Sequence, residues 1–216
     1  MLVALGSFAL AAAVLVLLPG PDTLVIIRSI VRGGRRRGVA TVLGIQTGLV
    51  VWITAAVLGL AALLRASEVA YTALRIVGAA YLIWLGVQSW RSRGRAVADP
   101  AVEGAAVEGA AGAAGRRALA GTGFRAGLLS NLFNPKVGVF FVTFLPAFVP
   151  AGSPVTPTLL LFGAVFVLLN LAYQLPLVLL ATKVTELFSR ERVRRRMDAV
   201  AGAVLIGFGV RLATEG

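Results

Sequence analysis

The chain has 216 residues, of which 58% are hydrophobic and only 14% are charged, and its net charge is +12. A soluble domain needs roughly a quarter of its residues charged to cover its surface, so this composition excludes an ordinary soluble protein. The apolar residues occur in long blocks, and a bilayer core takes about 20 apolar residues per helix. The sequence therefore predicts an all-α integral membrane protein.

The chain contains no cysteine and no histidine. Their absence excludes disulfides, thiolate metal sites and imidazole proton relays, and we predict neither a metal nor a cofactor. No nucleophile–base pair or metal cluster is recognisable, so an enzyme is not predicted. The basic residues lie in short clusters between apolar blocks rather than along a water-facing surface, which argues against nucleic-acid binding.

The first apolar block begins at the N-terminus without a basic leader and continues into Pro-Gly-Pro-Asp rather than a cleavage site. It is therefore predicted to be a spanning helix and not a signal peptide. Six spans are predicted: Leu2–Ile30, Val39–Leu64, Val69–Trp90, Ala126–Val149, Thr158–Thr182 and Ala199–Leu212. The sixth is short and needs residues from the preceding basic segment, or a locally thinned bilayer, to cross.

Basic residues are concentrated in alternate connections. Seventeen of the 21 fall in residues 28–37, 91–125 and 183–196, which are the first, third and fifth connections. The positive-inside rule then places these connections in the cytoplasm and both termini outside. The third connection is rich in Ala and Gly, and residues 91–120 are predicted to be a flexible cytoplasmic linker. It separates residues 1–90 from residues 121–216, two groups of three helices with opposite orientation, which is the arrangement of an inverted repeat.

The first span is interrupted at Pro19, Gly20 and Pro21, and Asp22 follows directly. Two prolines and a glycine remove backbone donors and favour non-helical conformations. The freed backbone groups must be satisfied by protein or by water in a cavity. A carboxylate at this depth costs about 2.5–3.5 kcal/mol on insertion scales, so a functional role is expected.

The fourth span has a matching interruption at Asn131, Asn134, Pro135 and Lys136. The charged residue of each break lies ten or eleven residues from the arginine at the predicted cytoplasmic edge, or about 15 Å of helix. Either break alone can be a simple kink, and Asp22 with Lys136 can be a packing clamp. Two charged breaks at one depth favour a transport pathway, because substrate sites of inverted-repeat transporters are built from broken helices at the midplane.

Four motifs in order resemble the LysE/RhtB family of exporters. They are Leu18-Pro19-Gly20-Pro21-Asp22-Thr23, Gly44-Ile45-Gln46-Thr47-Gly48, Gly78-Ala79-Ala80-Tyr81-Leu82, and Phe124-Arg125-Ala126-Gly127 followed by Asn134-Pro135-Lys136. The resemblance implies export of amino acids or derivatives, such as homoserine, threonine, leucine or lysine, in exchange for protons across a bacterial cytoplasmic (inner) membrane. The chain departs from the family at Asp22, where relatives often have Asn, and at Leu49, where some have an acidic residue.

An amino acid presents an ammonium and a carboxylate, so its site needs one anionic and one cationic group. Asp22 is the candidate for binding the ammonium or exchanging a proton, and Lys136 with the half-helix after Pro135 is the candidate for the carboxylate. Further polar residues within spans are candidate lining residues: Gln46, Thr47, Arg75, Tyr81, Asn170, Tyr173 and Gln174. Most such groups in membrane helices are interhelical hydrogen-bond partners, and Arg75 can instead extend to the outer surface.

Two other functions remain open at this stage. One is export of another small ion or metabolite by the same superfamily, and the other is a non-transporting subunit of a membrane assembly. The predicted partners are a small-molecule substrate, protons and the lipid bilayer, with no nucleic acid, and a homo-oligomer is left open. Gly78, Gly86, Gly202 and Gly209 are predicted to allow close helix packing.

Overall fold

The computed structural model describes residues 1–18, 20–66, 68–91, 121–150, 152–180 and 191–214. The regular structure of these residues is entirely helical, which confirms the predicted class. The elements are α1 (Leu2–Leu17), α2 (Pro21–Ala66), α3 (Glu68–Arg91), α4 (Phe124–Leu132), α5 (Pro135–Val139), a π-helical turn (Phe140–Phe144), α6 (Leu145–Ala147), α7 (Val155–Leu179) and α8 (Glu191–Thr214). Pro19 and residues 92–120 of the predicted linker lie outside the described residues.

Several elements have the length and composition of membrane spans. Val155–Leu179 qualifies on its own, Pro21–Gly59 contains a stretch that qualifies, and α4 with Pro135–Ala147 forms a third apolar unit bent by 54°. Helix α1 and the segment Ile76–Gln88 are apolar but shorter. Large apolar side chains such as Leu168 lie exposed on the outside of the helices, as expected when lipid is the surrounding solvent.

Helix α2 is a helical hairpin rather than one straight rod. It is interrupted at Gly33 and Gly34, and Gly34 has φ 69°, a conformation that favours glycine. Thr41 Oγ1 donates to Ser29 Oγ at 2.7 Å, whereas twelve residues of continuous helix would separate them by about 18 Å. The chain therefore reverses, and we call residues 21–32 and 35–66 the first and second limbs. The first connection is where the sequence predicts it but is only two residues long, because two consecutive glycines suffice for the turn.

The first basic connection contacts the end of the third connection and the last turn of α7 at one end of the molecule. Arg37 Nη1 donates to Thr122 Oγ1 at 3.3 Å, which joins the first connection to the end of the third. Arg35 Nη2 donates to the carbonyl of Leu179 at 3.3 Å, which joins the first connection to the end of α7. We call this end of the molecule the basic end.

A cluster of phenylalanines packs α1, α7 and the π-helical turn against one another. Phe8 stacks on Phe162 with ring centroids 4.7 Å apart, and Phe140 packs on Phe166 at 4.8 Å. All four side chains are buried. This core fixes α1 relative to α5, and so fixes the position of the first break relative to the second.

Helices α3 and α8 pack backbone to backbone through glycines, as predicted. A Cβ added at Gly202 would lie 2.7 Å from the carbonyl oxygen of Gly86, and one added at Gly209 would lie 2.9 Å from that of Ala79. Helix α8 begins at Glu191, eight residues before the predicted sixth span. Its 24 residues extend about 36 Å, so residues of the basic segment do lengthen this helix.

Candidate functional site at two helix breaks

The first break separates α1 from α2. Helix α1 ends at Leu17, and Leu18 is extended with φ −68° and ψ 110°, because a following proline disfavours the helical conformation. Helix α2 starts at Pro21, and proline is tolerated as the first residue of a helix. Asp22 thus lies in the first turn of α2, where the helix dipole favours an anion, while the last carbonyls of α1 lack helical partners.

The second break separates α4 from α5. Helix α4 ends at Leu132, and Asn134 is the N-cap of α5, with its Oδ1 accepting from the backbone N–H of Lys136 at 3.1 Å. Pro135 occupies the first helical position. A backbone N–H at this position has no acceptor within the helix, so the missing N–H of proline costs no hydrogen bond. The chain bends by 54° between these helices, so the break in the fourth span is present at the predicted residues.

Trp52 of the second limb supports this bend. Its indole Nε1 donates at 3.3 Å to the carbonyl of Asn131, in the last turn of α4. A Cβ added at Gly138 would lie 2.9 Å from the same ring, so the indole lies directly against α5. The same Asn131 carbonyl accepts from the backbone N–H of Asn134 at 3.1 Å, so this oxygen at the break has two donors within the protein, as the membrane interior favours.

The carboxylate of Asp22 joins the two breaks. Its Oδ1 accepts from Ser130 Oγ at 2.7 Å and its Oδ2 accepts from Asn131 Nδ2 at 2.9 Å. Both donors are buried in the last turn of α4. The Lys136 ammonium and the Asn134 side chain also interact with this carboxylate. We call these five residues the charged cluster.

Lys136 makes the reciprocal connection. Its Nζ donates to the carbonyl of Leu18 at 2.9 Å, and a Cβ added at Gly20 would lie 3.8 Å from that nitrogen. A cation at the C-terminal end of α1 is electrostatically favourable because the helix dipole is negative there. Asp22 thus follows Pro21, which starts α2, and contacts the end of α4. Lys136 follows Pro135, which starts α5, and contacts the end of α1. The structure brings Asp22 and Lys136 into one polar region.

The depth of this region follows from the packing of the first limb on α4. The backbone N–H of Gly123 donates to Ser29 Oγ at 3.4 Å, and Ser130 is bonded to Asp22. Asp22 precedes Ser29 by seven residues, and Gly123 precedes Ser130 by seven residues. Because Asp22 pairs with Ser130 and Ser29 pairs with Gly123, the two segments run antiparallel with equal spacing between the paired residues. Seven residues correspond to about 10.5 Å, which sets the charged cluster well inside the molecule from the basic end.

A second polar group lies between the second limb and α7. Gln46 Nε2 donates to Asn170 Oδ1 at 3.3 Å and to Gln174 Oε1 at 3.1 Å. Asn170 and Gln174 are buried on one face of α7, and we call these three residues the amide cluster. The hydroxyls of Tyr173 and Thr23 are 3.2 Å apart beside it.

The remaining predicted lining residues do not join these clusters. Thr47 is exposed and donates to the carbonyl of Leu43 in its own helix at 2.9 Å. Tyr81 packs against Trp84 on α3, with ring centroids 5.6 Å apart. The side chain of Arg75 lies outside the described residues, as does Pro19.

A cavity of about 330 Å³ lies away from both clusters, near the N-terminus of α1. Its walls include Phe144, Phe148 and Phe208 and no charged side chain. Because a zwitterion needs ionic partners, this cavity is not the candidate site.

The chain is similar over nearly its whole length to membrane translocators. The family model described as LysE type translocator matches residues 13–216. The chain belongs to this family. The threonine efflux protein of Escherichia coli is 31% identical over 98% of both chains. The homoserine/homoserine lactone efflux protein of Salmonella typhimurium is 28% identical over 96% of this chain and 95% of the relative.

The membrane protein YrhP of Bacillus subtilis is 30% identical over 93% of both chains. No solved structure matches the chain. The family recognised from the four motifs is thus confirmed, and the chain is a membrane translocator rather than an enzyme.

Sequence reasoning missed three residues that contribute to the candidate site. Ser130 and Thr23 are direct neighbours of the predicted residues Asn131 and Asp22, and that adjacency within an apolar span could have identified them. Trp52 gives no such signal, because a tryptophan in an apolar block is indistinguishable from a lipid-facing one until the packing is known.

Proposed function

We propose that this LysE-type translocator exports amino acids or close derivatives from the cytoplasm, with the charged cluster as its substrate site. The observation that carries the proposal is the reciprocal contact of two broken helices, in which Asp22 and Lys136 lie in one polar region. The names of the relatives support the substrate class, because two of them are efflux proteins for threonine and for homoserine and its lactone.

The charges in the site match those of a zwitterion. Asp22 would bind the substrate ammonium and Lys136 would bind its carboxylate. Between transport cycles Lys136 compensates the charge of Asp22, which limits the cost of holding a carboxylate inside the membrane. A bound amino acid adds one positive and one negative charge, so the site stays neutral overall when the substrate replaces the interaction between the two side chains.

Proton antiport is proposed through the same carboxylate. Asp22 is the only Asp or Glu within the six predicted spans, and the chain has no histidine. A proton on Asp22 removes the negative charge that binds the substrate ammonium. Proton and substrate therefore compete for one group, which is the requirement for exchanging one against the other.

We further propose six spans in two inverted repeats, residues 1–90 and 121–216, in a bacterial inner membrane with both termini outside. The matching positions of Pro21-Asp22 and Pro135-Lys136 after the two breaks support the repeat. The contacts of the first basic connection with the end of the third and with the end of α7 support a cytoplasmic location for that end.

The test is counterflow in proteoliposomes. Purified protein is reconstituted into vesicles loaded with one unlabelled amino acid, and entry of the labelled amino acid is followed for each of the twenty and for homoserine. We expect accumulation of several of them above protein-free vesicles. No accumulation by folded protein would contradict amino-acid transport and favour another solute or a non-transporting assembly subunit.

Asp22→Asn tests proton coupling. The variant keeps the shape of the side chain but cannot take up a proton, so we expect normal folding and loss of amino-acid movement driven by a pH gradient. Asp99→Asn, in the predicted linker, is the matched control and should retain that movement. Full gradient-driven transport by Asp22→Asn would remove the proposed role of this carboxylate.

A further inference from the structure

The amide cluster lies at nearly the same depth as the charged cluster. Asn131 donates to Asp22 and also packs against the second limb, where a Cβ added at Gly48 would lie 2.6 Å from its Oδ1. Gly48 is therefore level with the charged cluster. Gln46 is two residues away in the same limb, or about 3 Å along the helix axis.

A contact between the first limb and α7 links chain neighbours of the two clusters. Thr23 follows Asp22 in α2, and Tyr173 precedes Gln174 in α7. The hydroxyls of Thr23 and Tyr173 are 3.2 Å apart. The helix that carries Asp22 therefore contacts the helix that carries Asn170 and Gln174 next to these residues.

The amide cluster contains a buried acceptor to which no described residue donates. Gln46 Nε2 donates to both neighbouring carboxamides, while Gln46 Oε1 is buried and has no hydrogen-bond partner among the described residues. A buried acceptor left unpaired is unfavourable, because its bonds to water are lost and not replaced. That cost is recovered when a ligand supplies a hydrogen-bond donor at this oxygen.

The chemistry of the cluster limits what such a ligand can be. Its three members are neutral. The residue before Gln46, Ile45, and the residues one turn after Gln174, Leu177 and Val178, belong to a buried apolar cluster. A charged substrate side chain would be desolvated there without an ionic partner, which is strongly unfavourable. A purely apolar side chain would fit the surroundings but would leave Gln46 Oε1 unpaired.

We propose that the amide cluster binds the side chain of the transported amino acid and selects a neutral side chain that donates a hydrogen bond, such as a hydroxyl or a carboxamide. This rests on the proposed function, since the charged cluster must hold the ammonium and carboxylate for the side chain to reach the amide cluster. Selectivity then arises in the second limb and α7, separately from the groups that bind the zwitterion.

The experiment compares substrates of matched shape in the counterflow assay, threonine with valine and homoserine with norvaline. Wild-type protein should favour the hydroxyl member of each pair by about tenfold or more, because a site that hydrogen-bonds a substrate group discriminates against the analogue that lacks it. Gln46→Met, of similar volume, should lower that ratio about tenfold. Gln174→Met is a second variant with the same expected direction, and Gln88→Met, exposed on α3, is the control that keeps the wild-type ratio.

The outcomes separate this inference from the proposed function. Wild-type transport of valine and threonine at equal rates would overturn the inference while leaving amino-acid export intact. An unchanged ratio in both Gln46→Met and Gln174→Met would also overturn it. Absence of any amino-acid transport by the wild type would overturn both proposals.

Discussion

The close packing of α4 against the second limb predicts that a single methyl group at Gly44 disturbs the charged cluster. A Cβ there would lie 2.8 Å from the backbone nitrogen of Leu128 and still closer to the carbonyl oxygen of Phe124. Both obstacles are backbone atoms, so no side chain can rotate away. Since ordinary contact begins at 3.4 Å, Gly44→Ala must separate the two helices by about 0.6 Å or more.

That separation reaches the site because α4 carries two of its hydrogen-bond donors. An outward shift of about 0.6 Å would lengthen the bonds from Ser130 and Asn131 to Asp22 from 2.7 and 2.9 Å to about 3.3 and 3.5 Å, at the limit of hydrogen bonding. Overpacking alone costs about 1–3 kcal/mol, and weakening of hydrogen bonds to a charged group adds to that loss. We therefore expect Gly44→Ala to lower the free energy of unfolding by at least about 1–3 kcal/mol and counterflow by tenfold or more.

Gly59→Ala is the control within the same helix. A Cβ at Gly59 meets nothing within 4 Å, so the substitution should be neutral or stabilise by about 0.5–1 kcal/mol through the lower conformational freedom of alanine. Both variants are measured by thermal unfolding in detergent and by counterflow in proteoliposomes. Equal stability and equal transport for the two variants would refute the close approach of α4 to the second limb, and with it the proposed support of Asp22.

Two further substitutions test how the breaks are held. Thr41→Val removes the 3.1 Å acceptor of the buried Gly123 N–H, which keeps only Ser29 Oγ at 3.4 Å, and it also removes the 2.7 Å bond from Thr41 to Ser29. We therefore expect a loss of about 1–3 kcal/mol in the free energy of unfolding. Thr54→Val, at an exposed site bonded only to its own helix, should change it little, and similar losses in both would contradict this reasoning. Asn134→Ala removes the N-cap bond to Lys136 and should cost about 1 kcal/mol, measured by thermal unfolding, whereas Asn134→Asp should retain most of the stability. An alanine variant as stable as the wild type would show that the cap does not stabilise the bend.

Much of this arrangement follows from local rules. Pro19, Pro21 and Pro135 interrupt helices for steric reasons that do not depend on distant residues, so both breaks could be predicted at the residues where they occur. The charge pattern likewise predicts which connections share one side, because each cluster of arginines is unfavourable to translocate. Boundaries were less accurate, as at the start of α8, because a basic segment can continue a helix once an adjacent helix packs against it.

The sequence by itself determined that the chain is a helical membrane protein of the LysE type, that helices are interrupted at residues 19–21 and 134–135, and that the two interruptions carry charges of opposite sign. Only the tertiary structure decided that Asp22 bonds to the end of α4 while Lys136 bonds to the end of α1, and that Thr47 and Tyr81 lie apart from both. The physical reason is that the surroundings of a side chain on an apolar helix depend on which neighbouring helix packs against that helix. That packing is set by close contacts such as Gly44 against α4, between residues distant in the chain.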